Sequence, residues 1–168
     1  MAEERSLGLT TLKIGAIAGD GGMGTSLAVL AYTEKDSAKI TTTDPEVKEF
    51  FVEEVEPPIE VITTKPSVMT LEFSIHDIQP DTLIAIFGGT KAGTPAVYTP
   101  PDVTAEVEKS IEITTLTGHI MKIVRAKIIA NFDWSLNRQE LSRVKIKATV
   151  LTPTKAATAP YTITMPAA

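Results

Sequence analysis

Residues 18–27, AGDGGMGTSL, carry four glycines within six positions directly after the strand-like run LKIGAIA. Gly19, Gly21 and Gly24 fit the dinucleotide pattern G-x-G-x-x-G. The same stretch nearly fits the P-loop, with Thr25 standing where the phosphate-reaching lysine belongs. Both patterns would cradle phosphate on backbone amides, and both need a helix straight after the glycines to complete the anion site. The next residues, SLAVLAYTEKDSAKITTT, are an apolar stretch long enough for a strand and then polar, Thr-rich sequence. The chain also lacks the β-α-β alternation of a doubly wound sheet. The expectation is a flexible turn between two strands, in which glycine supplies positive φ, with no nucleotide or other cofactor.

The remaining reactive residues are sparse. His76 and His119 lie in or beside strands, and neither has metal-ligand spacing such as H-x₃₋₅-H. Ser74, His76 and Asp77 sit too close along one strand to converge on a single oxygen, so no triad is expected. The acids Glu53, Glu54 and Glu56 lack the spaced ligands and glycine turn of a calcium loop, which favours a solvated or interfacial edge. Trp134, two residues after Phe132, reads as core or interface. With no cysteine, thiol catalysis, disulfides and thiolate metal sites are excluded. No enzymatic site is expected.

A chain of 168 residues suits one domain able to bury roughly two-thirds of its unfolded surface. The N-terminal MAEERSLG is acidic where a secretory signal would be basic, and no run approaches a membrane span. A soluble protein made and used in a cytoplasm, or released only by lysis, without a membrane partner, is expected. Net charge is −5, against general nucleic-acid binding. Its distribution is bipolar. Residues 34–60 hold nine acids against Lys35, Lys39 and Lys48, a net of −6, while residues 119–155 hold eight bases against Asp133 and Glu140, a net of +6. Such a chain could dock head to tail on copies of itself, or simply present two solvated faces.

The elements that must position these residues are strands. In SVMTLEFSI, Met69, Leu71, Phe73 and Ile75 share a face; in RVKIKATVL, Val144, Ile146, Ala148 and Val150 do. IEVITT, SIEITTLT and YTITM are rich in Thr and Ile/Val, as strands are. HIMKIVRAKIIANF is apolar on both faces, which predicts a strand covered by core on one side and often by another subunit on the other, with a helix as the competing reading. One short helix is predicted at about 79–87: Pro80 suits its first turn, Asp81 its N-terminus and Gly88 a left-handed stop. Its Leu83, Ile84, Ile86 and Phe87 must pack tightly. GGTKAGT reads as helix stop plus turn. Residues 33–57 read as a long polar excursion, with EVKEFFVEE as one arm of a hairpin.

The order of these parts resembles the major tail (tail tube) proteins of long-tailed bacteriophages with non-contractile tails. The most specific pieces are IEVITTKPSVMTLEFSIHDIQPDTLIAIFGGT, a strand pair running into the helix, and RAKIIANFDWSLNRQELSRVKIKATVLTP, the final strand pair. With LKIGAIA, the likeness covers most of the chain. It implies a mainly β fold, a β-sandwich or half-open barrel with one flanking helix, whose copies form hexameric rings stacked into a tube. The implied function is structural, in the virion tail. The partners are further copies of itself, a tape-measure protein, and terminator and initiator proteins, with DNA passing through the lumen unbound. The bridging parts carried onto this sequence are an N-terminal arm, residues 1–10, and the long loop, residues 33–57. Within that loop Glu46, Glu49, Phe50, Phe51, Glu53, Glu54 and Glu56 are the expected contacts, with Arg125 and Lys127 as basic counterparts. Arg143, Lys145 and Lys147 are expected outside the channel or at an interface. Alternatives are the inner tube of a contractile tail or injection machine and, in a different class, a β-sandwich adhesin or carbohydrate-binding module.

Overall fold

Alternation of apolar and polar residues becomes alternation of buried and exposed ones along the strands of the computed structural model, which describes residues 5–166. In chain order the strands are β1 Thr11–Gly15, β2 Leu27–Val29, β3 Lys39–Thr42, β4 Glu46–Val52, β5 Val55–Lys65 and β6 Met69–Ile75. After the helix α1 (Pro80–Phe87) come β7 Thr90–Ala92, β8 Val97–Thr99, β9 Val107–Thr114, β10 Ile120–Asp133, β11 Arg143–Val150 and β12 Tyr161–Thr164. The fold is mainly β, built on one large antiparallel sheet of order β2-β1-β9-β10-β11-β6-β3, with β12 also paired to β10. Leu12 and Ile14 of β1 share one core with Leu71, Phe73 and Ile75 of β6, although β9, β10 and β11 separate those two in the sheet order. The sheet therefore curls on itself, and the segment after β2 bridges the gap by pairing Thr33 with Ile75 and donating from Glu34 N to Ser74 O at 2.8 Å. No helix among the described residues is long and apolar enough to cross a membrane.

HIMKIVRAKIIANF is a strand, β10, and the helical alternative fails. Part of its two-sided apolarity comes from a slip in register. Pairing with β9 runs from Ile120 to Ile123, slips, and resumes at Ala126. This bulge at Val124 and Arg125 shifts the alternation by one residue. Before it Ile123 faces the core; after it Ala126 and Ile128 do. Once the slip is placed, the core-facing row is wholly apolar, and the opposite row mixes Lys122, Arg125 and Lys127 with Ile120 and Ile129, the latter 47% exposed. The bulge is also where the sheet branches, because the first half of β10 pairs with β12 and the second half with β11. Strands that change layer at a bulge are how sandwich corners are made.

The helix lies at the predicted place, with Gln79 as N-cap, Pro80 in the first turn and Gly88 at φ 75° closing it. Leu83 and Ile86 are buried against the sheet; Ile84 and Phe87 are half-buried. The Gln79 side chain makes no cap bond; Asp77 serves the helix start instead, accepting from Gln79 N at 3.1 Å and Thr82 Oγ1 at 2.7 Å. GGTKAGT is more than a turn, since Thr90–Ala92 pairs with Val97–Thr99 in a small hairpin. That hairpin holds the helix end: Tyr98 donates from its hydroxyl to Gly88 O at 2.9 Å, and partial desolvation raises the phenol's pKa. Tyr98→Phe should cost about 1 kcal/mol, read as a drop of about 2–4 °C in the thermal midpoint. No measurable drop would mean that water replaces the phenol at no cost.

Candidate assembly surface

The glycine stretch was the leading candidate for chemistry, and no helix comes after it. Residues 16–26 connect β1 to β2, which pair with each other through Gly15 and Leu27. The connection is packed rather than flexible. Gly21 and Gly24 are buried, and Gly21 alone of the four glycines has positive φ, 80°. A Cβ on Gly24 would lie 2.2 Å from Ala16 O, so glycine is required there by close approach. Gly24 N donates to Ser110 Oγ at 2.9 Å, and Ser110 Oγ donates to Val124 O at 2.7 Å. The amides of this loop therefore serve the protein itself. Lys155 Nζ sits 2.6 Å from Asp20, whose carboxyl it holds below the usual range. No group of three or more potential metal ligands occurs among the described residues. His76 Nδ1 lies 3.2 Å from Ser142 O while Asp77 turns to the helix, so Ser74, His76 and Asp77 do not converge.

What stands out instead is an arm. β4 and β5 form a two-stranded ribbon that belongs to neither the large sheet nor the β7–β8 hairpin, and every residue of both strands is exposed. The excursion predicted at 33–57 thus has a different layout: β3 returns to the main sheet beside β6, and the ribbon runs on to Lys65. IEVITTK is the second arm of this ribbon and does not pair with β6. Register puts Val47 opposite Thr63 and Glu49 opposite Val61 on one face, with Lys48 opposite Ile62 and Phe50 opposite Glu60 on the other. Both faces are therefore apolar and charged together. Phe51 and Ile59 are each 59% exposed. An isolated two-stranded ribbon is marginal in water, and its open apolar surface makes it the candidate contact surface of the chain. At its base the ribbon is clamped, with Thr43 N donating to Val68 O at 2.9 Å and Val68 N to Thr43 Oγ1 at 3.0 Å.

The predicted contact residues separate into two groups. Glu46, Glu49, Phe50, Phe51, Glu53, Glu54 and Glu56 all lie on the ribbon or its tip. Glu46 is paired with Lys65 at 2.8 Å, whereas Glu49, Glu53, Glu54, Glu56 and Glu60 make no ion pair among the described residues. Arg125 and Lys127 lie elsewhere, on the outer row of β10, and their charges are matched within the chain. Arg125 grips Glu108 through two bonds of 2.7 and 2.8 Å and also donates to Thr152 O; Lys127 meets Glu106 at 2.8 Å. Much of the basic half of the chain is neutralised similarly: Arg143 bonds Glu34 and Asp133, Lys145 bonds Asp133, and Lys147 approaches Glu72. Arg143, Lys145 and Lys147 lie on the row of β11 opposite the core. Of the N-terminal arm, residues 1–4 lie outside the described residues, and Leu7 and Thr10 run along the end of β9 through bonds to Leu116 and Thr114. Trp134, read from the sequence as core or interface, forms with Phe132 a second apolar group that is half exposed. Phe87 stacks on Phe132 with centroids 4.7 Å apart, and Trp134 meets Phe132 edge-on at 5.1 Å.

Neither a protein-family model nor a curated protein matches this sequence.

The ion pairs give the fold an acid sensitivity of definite sign. Hydrogen bonds from Arg125 hold the Glu108 carboxyl below its usual range, and bonds from Lys145 and Arg143 do the same for Asp133. Each carboxyl is a stronger acid folded than unfolded. The unfolded chain then binds more protons in acid, and the stabilisation is complete above the unfolded pKa of about 4 and lost as pH falls through the folded values. Urea unfolding should give flat stability between about pH 7 and 5 and a decline below about 4, made shallower by Glu108→Gln. A decline already complete at pH 6 would contradict this assignment.

Proposed function

We propose that this chain is a structural, self-assembling subunit of a phage tail tube, forming stacked rings around a channel that DNA traverses. The observation that carries the proposal is the ribbon of residues 46–65, an apolar and acidic arm projecting from a half-open barrel whose remaining charges are largely paired internally. Such an arm has no use in an isolated monomer and a clear one in contacts between subunits. Further support comes from the resemblance of residues 59–90 and 125–153 to tail tube proteins, which implies a mainly β fold with one flanking helix. The partners in this reading are further copies of the chain and a tape-measure protein, with no cofactor. DNA slides through without sequence-specific contact, in keeping with a subunit of net charge −5. Negative-stain electron microscopy of concentrated protein tests the proposal. Hollow rings or stacked tubes are expected. Uniform monomers at every concentration, with an arm still open to protease, would count against it.

A further inference from the structure

The mouth of the curled sheet is left open on the side of β3, the last strand in the order, whose outer edge pairs with nothing among the described residues. Ile40 lies opposite Leu71 in the register and so shares the core face, yet it is 40% exposed because no strand lies beyond it. Across the opening stand Leu9 and Leu116, giving an apolar groove rimmed by Lys35 and Lys39. Neither lysine makes an ion pair among the described residues. Of the carboxylates at this rim, Glu34 is held by Arg143, leaving Asp36.

The arm has the complementary character. Its β5 carries Pro57 and Pro58, which have no N–H to give, so that edge is a poor template for pairing. The β4 edge, EVKEFFV, contains no proline and carries Phe50 and Phe51 beside the unpaired Glu49, with Glu53 and Glu54 at the tip. Among the other free edges, β2 has three residues and β12, YTIT, has no charge to meet these acids. We infer that the β3 edge of one copy receives the β4 edge of another copy's arm, with a Phe entering the groove and Lys35 and Lys39 meeting the arm's carboxylates. Strand addition at a free edge supplies backbone bonds, while the groove and lysines set specificity. This rests on the self-association reading above and names the acceptor that reading lacks.

Because the chain has no cysteine, introduced ones are unique. Chains carrying Thr41→Cys are mixed with chains carrying Lys48→Cys, Glu49→Cys or Phe50→Cys in turn, and oxidised. One pairing should cross-link at least about tenfold more than Thr41→Cys with Lys91→Cys on the β7 hairpin, since disulfides need Cα atoms within about 7 Å. Lys35→Glu with Lys39→Glu should abolish the assemblies, and Glu53→Lys with Glu54→Lys should restore them. Equal cross-linking in all pairings would overturn the acceptor. Tubes without the favoured cross-link would leave the tail-tube reading standing and remove β3 from it. The cross-link without rings or tubes would support the contact and count against the tube. Absence of both would overturn both.

Discussion

Replacing residues 46–65 by a short Gly-Ser linker is expected to leave a folded barrel that no longer assembles. Nothing in β4 or β5 belongs to the buried core, so excision removes no core packing. The ends to be joined are already held together by the Thr43–Val68 bonds, and a shorter loop costs slightly less entropy to close. Stability should stay within about 0.5 kcal/mol of the parent, as for other surface changes. Assembly should be lost outright, because several exposed apolar residues and five unpaired carboxylates leave together. Calorimetry and electron microscopy on the same sample read the two outcomes. Tubes formed without the arm would sink its assignment as the contact; a collapsed barrel would show that the arm supports the core in a way its exposure does not reveal.

Ser110→Ala is expected to be the most damaging small substitution. Ser110 is fully buried, and its hydroxyl sits between Gly24 N and Val124 O. Two other backbone groups of the β10 bulge have their own partners: Val124 N donates to Pro160 O at 3.0 Å, and Arg125 O accepts from Leu151 N at 2.9 Å. Alanine would leave one buried donor and one buried acceptor unmet, each costing about 1–3 kcal/mol. The expected loss is about 2–4 kcal/mol in urea unfolding, large for a single oxygen atom. Gly24→Ala should be comparably harmful through collision with Ala16 O. A Ser110→Ala loss below about 0.5 kcal/mol would mean that water enters the bulge.

These two positions also explain why a phosphate-loop spacing occurs in a protein read as structural. Gly21 and Gly24 meet a steric demand, because the β1–β2 connection passes closely over β9 and the segment near Lys155, whereas a Cβ on Gly19 would meet nothing. Gly21 has positive φ, and a Cβ there would meet Thr154 Oγ1 at 2.0 Å. Close backbone approach selects glycine whether the neighbour is a pyrophosphate or another strand. A glycine pattern without a helix after it therefore cannot assign a ligand.

Whatever depends on neighbours along the chain was legible in the amino-acid sequence. Period-two alternation in β6 and β11 set which side chains face the core, and Pro80 and Gly88 bounded the helix, because steric preferences of φ and ψ act within a few residues. One strand of the arm was visible within the acidic, polar excursion at 33–57, although the arm runs on to Lys65. Register between distant segments emerged only from the folded chain. The slip between Ile123 and Ala126 decides that Ala126 and Ile128 join Ile123 on the core row, and no local signal in IVRA marks it. Partners for Arg125 and Arg143 came from Glu108, Glu34 and Asp133, so a bipolar charge map became largely a set of internal pairs. Whether a charge is free for a neighbour depends on which opposite charge the fold brings within about 4 Å, and sequence distance says nothing about that.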